Sequence, residues 1–197
     1  FPENPTLVDR PFKLNARNYI YLADRGRIYG DVRLYDDQGT GIHFYTNRED
    51  TVADQEMTVE LSRISLQQFK RVLPYLPDME GWLGGSVHYV DSEGKMMISA
   101  DMSLDDFVYE KSPMGNWAMS GAYLPVGENE HHVDGFLLHN DREIVSMYGA
   151  YQTDDNGNEQ ITGDLELQHF PLRVINPFVP DKMVRFTGDV DGTLSMS

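Results

Sequence analysis

Chemistry in this chain would have to come from histidines, carboxylates and hydroxyls, because its 197 residues include no cysteine. That rules out disulfides and a thiol nucleophile and leaves the compartment open. The six histidines are His43, His88, His131, His132, His139 and His169. The nearest thing to a ligand cluster is His131-His132 with Asp134. Adjacent residues of a strand point to opposite faces, so only one of the two imidazoles can share a site with Asp134. None of the six has a recognisable metal spacing, and no metal site is expected. Asp154-Asp155-Asn156-Gly157-Asn158-Glu159 carries the oxygens of a calcium loop, but its alternating ligands and distal Glu are out of register. Asn156-Gly157 reads instead as the centre of a hairpin turn. There is no G-x-S-x-G elbow, no phosphate loop and no G-x-G-x-x-G opening a helix. With 32 acidic residues, carboxylate pairs are too common to mark a site. Trp82 and Trp117 could stack on a sugar, although packing in a core or at a sheet edge is the simpler role. Neither catalysis nor a cofactor is expected.

The elements that would hold these groups are strands. Ile28, Gly30, Val32 and Leu34 alternate with polar residues, as do Gly81 to Tyr89, Ile98 to Leu104, Trp117 to Tyr123 and Ile161 to Leu167. Period two is the signature of a half-buried strand. Turn residues separate the runs: Asp24-Arg25-Gly26, Asp36 to Gly39, Asp91 to Gly94, and Asp154 to Asn158. Phe12 to Leu22 reads as one extended run and Ile42 to Thr46 as a short strand. Met57, Val59 and Leu61 alternate, then the phase slips to Ile64 and Leu66, as one extra residue in a β-bulge would produce. Val133–His139 and Ile144–Tyr151 carry apolar residues on both phases, so their faces stay unassigned. Only Gln67 to Pro77 has helical spacing, with Phe69, Val72, Leu73 and Leu76, and Pro74 limits it to a turn or two. About eleven short strands with almost no helix make the chain all-β, as a sheet stack, sandwich or barrel.

The charge of −16, from 16 basic and 32 acidic residues, is the wrong sign for a phosphate-binding surface. Nucleic acid is therefore excluded as a partner, and docking of the outer face on an anionic bilayer is disfavoured. No run approaches the roughly 18 apolar residues of a membrane span. The sequence opens at Phe1 with neither an initiator Met nor a basic-then-apolar leader, and its last run is still alternating where it stops, so any signal or anchor is expected outside it. The expectation is a single all-β fragment, residues 1–197, of a longer protein.

Two stretches, about 61–89 and 165–197, resemble each other. Leu66-Gln67-Gln68-Phe69 matches Leu167-Gln168-His169-Phe170, and Pro74 to Asp78 matches Pro177 to Asp181. Gly81-x-Leu83-x-Gly85-x-Val87-x-Tyr89 matches Gly188-x-Val190-x-Gly192-x-Leu194-x-Met196. Each copy is a strand, a proline-bounded apolar plug and a strand with glycines four apart. Glycine weakens a strand, so the pair calls for a reason: tight bending, or room for an apolar object.

The second copy resembles the repeated motif of the TamB proteins, within the AsmA-like intermembrane bridges. The residues that carry it are Phe170, Pro171 and Leu172, then Asn176, Pro177, Phe178 and Pro180, then Gly188 and Gly192. The first copy keeps Phe69, Pro74 and Pro77 but has Phe69-Lys70-Arg71 in place of the Phe-Pro-Leu block. The resemblance implies a periplasmic segment of a cell-envelope protein whose inner-membrane anchor lies outside this chain. It implies a curled, elongated antiparallel or mixed sheet, a taco-shaped groove with an apolar lining. The implied roles are phospholipid transport and the assembly of outer-membrane proteins. The partners would be acyl chains, unfolded outer-membrane β-strands and an outer-membrane barrel of the TamA type. Alternation makes Val59, Leu61, Leu83, Val87, Ile98, Met102, Trp117, Met119, Leu165, Leu167, Val190 and Leu194 the candidate groove lining. The alternative is a periplasmic or extracellular β-sandwich that binds glycan or protein, with the same residues closed into a core.

Overall fold

The computed structural model describes residues 5–7, 10–46, 53–154, 156–180 and 183–197. Asp155, Asp181 and the side chain of Val72 fall outside what is described. The strands are β1 (Thr6–Leu7), β2 (Arg10–Pro11), β3 (Lys13–Leu14), β4 (Tyr19–Leu22), β5 (Ile28–Tyr35), β6 (Gly41–Thr46) and β7 (Gln55–Ser65). After α1 (Leu66–Val72), the one α-helix among the described residues, come β8 (Met79–Ser92), β9 (Lys95–Tyr109), β10 (Ser112–Pro125), β11 (Glu130–His139), β12 (Arg142–Thr153), β13 (Glu159–Pro171) and β14 (Asp189–Met196). A 3-10 helix, Leu172–Phe178, joins the last two strands, and it is called the plug below.

From β3 to β14 these strands form one 12-stranded antiparallel sheet that does not close. Its order follows the chain, with β3 and β4 both pairing along the outer edge of β5. The extended run Phe12 to Leu22 is therefore two short strands with a turn at Asn15–Asn18 between them. The architecture is a single layer rather than a sandwich. Beyond neighbouring strands, extensive packing between elements is confined to α1 on β8. A consequence is the surface: 13575 Å² is accessible, against about 9,500 Å² for a compact monomer of 22.5 kDa.

Local chemistry explains the meander. Asp36 Oδ1 accepts from the amides of Gln38 and Thr40 at 2.8 and 2.9 Å, and Asp154 Oδ1 does the same for Asn156 and Asn158. Both are Asx turns closed by a glycine at positive φ, Gly39 and Gly157. The β8–β9, β9–β10 and β11–β12 hairpins instead turn on residue pairs with both φ positive: Glu93-Gly94, Glu110-Lys111 and Asn140-Asp141. That geometry matches the right-handed twist of the flanking strands.

Bulges gather at one end of the sheet. The phase slip read between Leu61 and Ile64 is a bulge on Arg63, at φ 48°. Asp106 in β9 and His169 in β13 repeat it at φ 52° and 49°. An extra residue leaves its amide without a ladder partner, and side chains of the next strand take over. Asn116 Oδ1 accepts from the Asp106 amide at 2.8 Å, and Asn140 Oδ1 from the Asn116 amide at 2.9 Å. Asp191 Oδ1 accepts from the His169 amide at 2.7 Å.

The bulges also set the internal repeat. Leu61, Arg63 and Ile64 correspond to Leu167, His169 and Phe170, their partners Gly85 and Leu83 to Gly192 and Val190. The seven-residue α1 corresponds to the seven-residue plug. The match of Leu66–Phe69 to Leu167–Phe170 is thereby corrected: the first lies in α1 and the second in β13. Likewise Pro177 lies inside the plug, whereas Pro74 follows α1.

Candidate functional site: an uncovered apolar face

In an antiparallel sheet, residues paired across strands share a face. Following register from strand to strand gives one row as Val32, Phe44, Val59, Val87, Ala100, Gly121, Gly135, Met147, Leu165 and Leu194. The row two residues along is Leu34, Ile42, Leu61, Gly85, Met102, Met119, Leu137, Val145, Leu167 and Gly192. On the other side runs Thr46, Met57, Tyr89, Ile98, Tyr123, Val133, Gly149, Gly163 and Met196. At the bulged end Ile64, Leu83, Leu104, Trp117 and His139 form a fourth. From β5 to β14 the first two rows contain no polar side chain.

All twelve candidate lining residues lie on this face, Val190 through sharing the phase of Gly192 in β14. Register also assigns the two strands that alternation left open. Val133, Gly135, Leu137 and His139 face the apolar side in β11, as do Val145, Met147, Gly149 and Tyr151 in β12. The opposite face is polar, with a row of Arg33, His43, Glu60, Ser86, Asp101, Ser120, Phe136, Ser146, Glu166 and Thr193.

Little covers the apolar face. Met119, Met147 and Leu194 are 48%, 45% and 70% exposed, where a core residue would be below a tenth. Among the described residues the buried apolar side chains are Phe12, Met114, Ile144, Pro171 and Val174, and they do not form a core along the sheet. Contiguous apolar patches beyond a few hundred Å² are uncommon on soluble monomers and mark contact with apolar matter. Near the middle, Gly121 and Gly135 sit opposite each other and open a depression of about 490 Å³ between Met119, Tyr123, Val133 and Met147. Small residues continue it obliquely, from Ala100 through Gly121 and Gly135 to Gly149 and Gly163. Its four glycines recur every fourteenth residue, a signal available in the sequence and missed by reading strands singly.

The plug crosses the bulged end. The Phe178 ring lies 4.5 Å from that of Tyr109, at the tip of β9. The Asn176 side chain grips the backbone of Phe186 at two points, accepting from its amide at 2.7 Å and donating to its carbonyl at 2.9 Å. The Leu172 amide donates to the carbonyl of Gly188, which turns at φ 85°. Pro171 is buried, Phe170 closes β13 opposite Val190, and Pro180 is exposed. The motif residues thus fold the plug back on the sheet and send the chain into β14.

The histidines and tryptophans have local partners. His131 stacks between Tyr123 and Tyr151, whereas His132, on the opposite face with Asp134, meets Glu130 at 2.6 Å. His43 reaches Asp31 at 3.0 Å. His139 is buried and contacts the Met114 carbonyl at 2.9 Å, which the Trp117 indole N–H also reaches at 3.0 Å. Trp82, on the polar side, lies under the Arg63 guanidinium. Both tryptophans are half-buried in such contacts. The His169 amide, then its side chain, holds the Asp191 carboxyl below its usual range. Hydrogen bonds from Asn158 do the same for Asp154. The Tyr45 phenol is pushed up, first by its bond to Glu60 and then by burial.

No protein-family model, curated protein or solved structure matches the chain.

Proposed function

We propose that the apolar face carries phospholipid acyl chains, and that the chain is a periplasmic segment of a TamB-like intermembrane bridge anchored in the inner membrane. The observation behind this reading is a single open layer in which two adjacent rows carry no polar side chain through ten strands. Burial of a methylene in such a surface is worth about 0.8 kcal/mol, so acyl tails are held without specific polar contacts. The small-residue trough crosses five strands, about 19 Å at 4.8 Å per step, enough for most of an extended acyl chain. Resemblance of the second copy to the TamB motif supplies the cellular setting, and no catalytic role is assigned.

Site-specific photocrosslinking in cells tests it. A photoreactive residue at Leu83, Val87 or Met119 is expected to capture phospholipid, and one at Ser86 or Ser120 on the polar face is not. Native mass spectrometry of the purified chain should show bound lipid. Equal capture on both faces, or none with no co-purifying lipid, would sink the proposal.

The edge of β14 supports a second role in the same setting. Among the described residues β14 pairs with β13 alone, and a strand edge of this kind can take up an incoming strand through its backbone. In this role the sheet assists outer-membrane proteins, with a TamA-type barrel as its partner. Crosslinks from Thr193 or Ser195 to an unfolded outer-membrane protein are the expected result.

A further inference from the structure

The plug and the ends of β10 and β11 enclose a second kind of space. A cavity of about 550 Å³ lies between Ser112–Gly115, His139 and Asn140 on the sheet side and Arg173, Asn176 and Arg185 on the plug side. Among its described lining residues there are two arginines and no aspartate or glutamate. In a chain where acids outnumber bases two to one, the described lining departs from the average in holding basic groups without acidic ones. We propose that this cavity binds a phosphate group.

Three features fit that ligand. Arg173 forms no ion pair with any described residue, although it also borders a neighbouring cavity that contains Glu143, Asp189 and Asp191. Asp191 there is already engaged by His169. A guanidinium left without a carboxylate offers its planar fork of donors to phosphate oxygens. Arg185 already takes part in an interaction of its own, so only its place on the rim counts. Third, the rim is held in place before any ligand arrives. The two-point grip of Asn176 on Phe186 fixes the residue next to Arg185, and Asn140 is tied to the Asn116 amide.

The cavity adjoins the apolar face, because His139 is the last member of the row Leu83, Leu104, Trp117 and His139. A phosphate bound here would stand at the mouth of the face, where the headgroup of a lipid lying on it would come. That extension rests on the proposed lipid carriage; phosphate binding itself does not. Free phosphate or a phosphate monoester presents the same oxygens, so the test has two arms.

The isotope-labelled chain is titrated with inorganic phosphate and, separately, with dihexanoyl phosphatidylglycerol below its micelle concentration. Resonances of Gly115, Asn140 and the Arg173 side chain are expected to shift in both titrations. Arg173→Gln should weaken both by about tenfold or more, the worth of charge-assisted hydrogen bonds, and Arg173→Lys should retain part of the affinity. Arg185→Gln serves as the second variant should Arg173→Gln fail to fold. Tighter binding of the lipid, with shifts of the Met119 and Met147 methyls, identifies the phosphate as that of a headgroup. Equal affinity without methyl shifts identifies free phosphate, and leaves the site standing while lipid carriage falls. Methyl shifts without any change at Arg173 overturn the phosphate site and leave lipid carriage standing. Silence at Gly115, Asn140 and Arg173 with both probes, or wild-type affinity in both glutamine variants, overturns it as well.

Discussion

Gly85 and Gly149 face the same apolar side, yet substitution should separate them. A Cβ on Gly85 would lie 2.1 Å from the Asp101 carbonyl oxygen, and its φ of 134° is strained for any other residue. Gly85→Ala is expected to cost about 3 kcal/mol or more, from backbone strain and forced separation of β8 and β9. At Gly149 the nearest backbone atom to a Cβ is 3.8 Å away, ordinary contact distance. Gly149→Ala should be neutral or stabilising by up to about 1 kcal/mol, since glycine weakens a strand, while Gly149→Leu should fill the trough and reduce lipid crosslinking at Met119. Urea unfolding of the variants measures the first pair. Titration of Asp191 is a separate expectation. Its folded pKa is depressed, so its contribution is present above the unfolded value of about 3.9 and is lost as pH falls through the lower folded value. Carboxyl NMR should give a midpoint below the usual range, moving up towards it when His169→Ala removes the imidazole contact.

At the scale of elements, the bulged end depends on side chains that substitute for missing ladder bonds. Asn116→Ala leaves the Asp106 amide to water and should cost about 1 kcal/mol. Asn140→Ala should cost about the same by freeing the Asn116 amide. Because Asn140 positions the strand from which Asn116 reaches Asp106, the two costs should not add, and a double-mutant cycle reads the coupling. The period-two pattern was enough to place Val59, Leu61, Leu83, Val87 and Met119, since alternation is what a strand imposes on its own residues. It could not place β11 and β12, where Phe136 and Leu138 occupy the polar side and Ile144 is thrown out of phase by a bulge. Nor could it mark the turn at Glu110-Lys111, which has no glycine, asparagine or proline. The plug's motif was visible as residues, but the cavity beneath it joins positions some sixty residues apart, and only the folded chain brings those together. Leu66–Phe69 and Leu167–Phe170 match in sequence but not in structure, because a helix start and a bulge both show as a phase slip.

For the whole molecule, exposure is the governing quantity. The native sheet already shows water about 4,000 Å² more than a compact chain of its mass. Urea m-values scale with the area newly exposed on unfolding, so the m-value should fall below that of a globular protein of 197 residues. An environment-sensitive apolar dye should bind the native state. Each strand packs chiefly on its immediate neighbours, so hydrogen exchange should grade from fast at β14 to slow in the long central pair β8 and β9. A uniform protection profile would contradict this picture.

The correspondence of β7–α1–β8 with β13–plug–β14 bears on how such a molecule changes length. The second copy is offset from the first by six strands, about 29 Å at 4.8 Å per strand. Because a strand added at an edge disturbs no contact further in, duplication of that block lengthens the apolar face in fixed steps and leaves the rest folded as before. Span is then an inherited variable independent of local stability, and under the proposed bridging role a lineage could match it to the distance between two membranes simply by counting blocks.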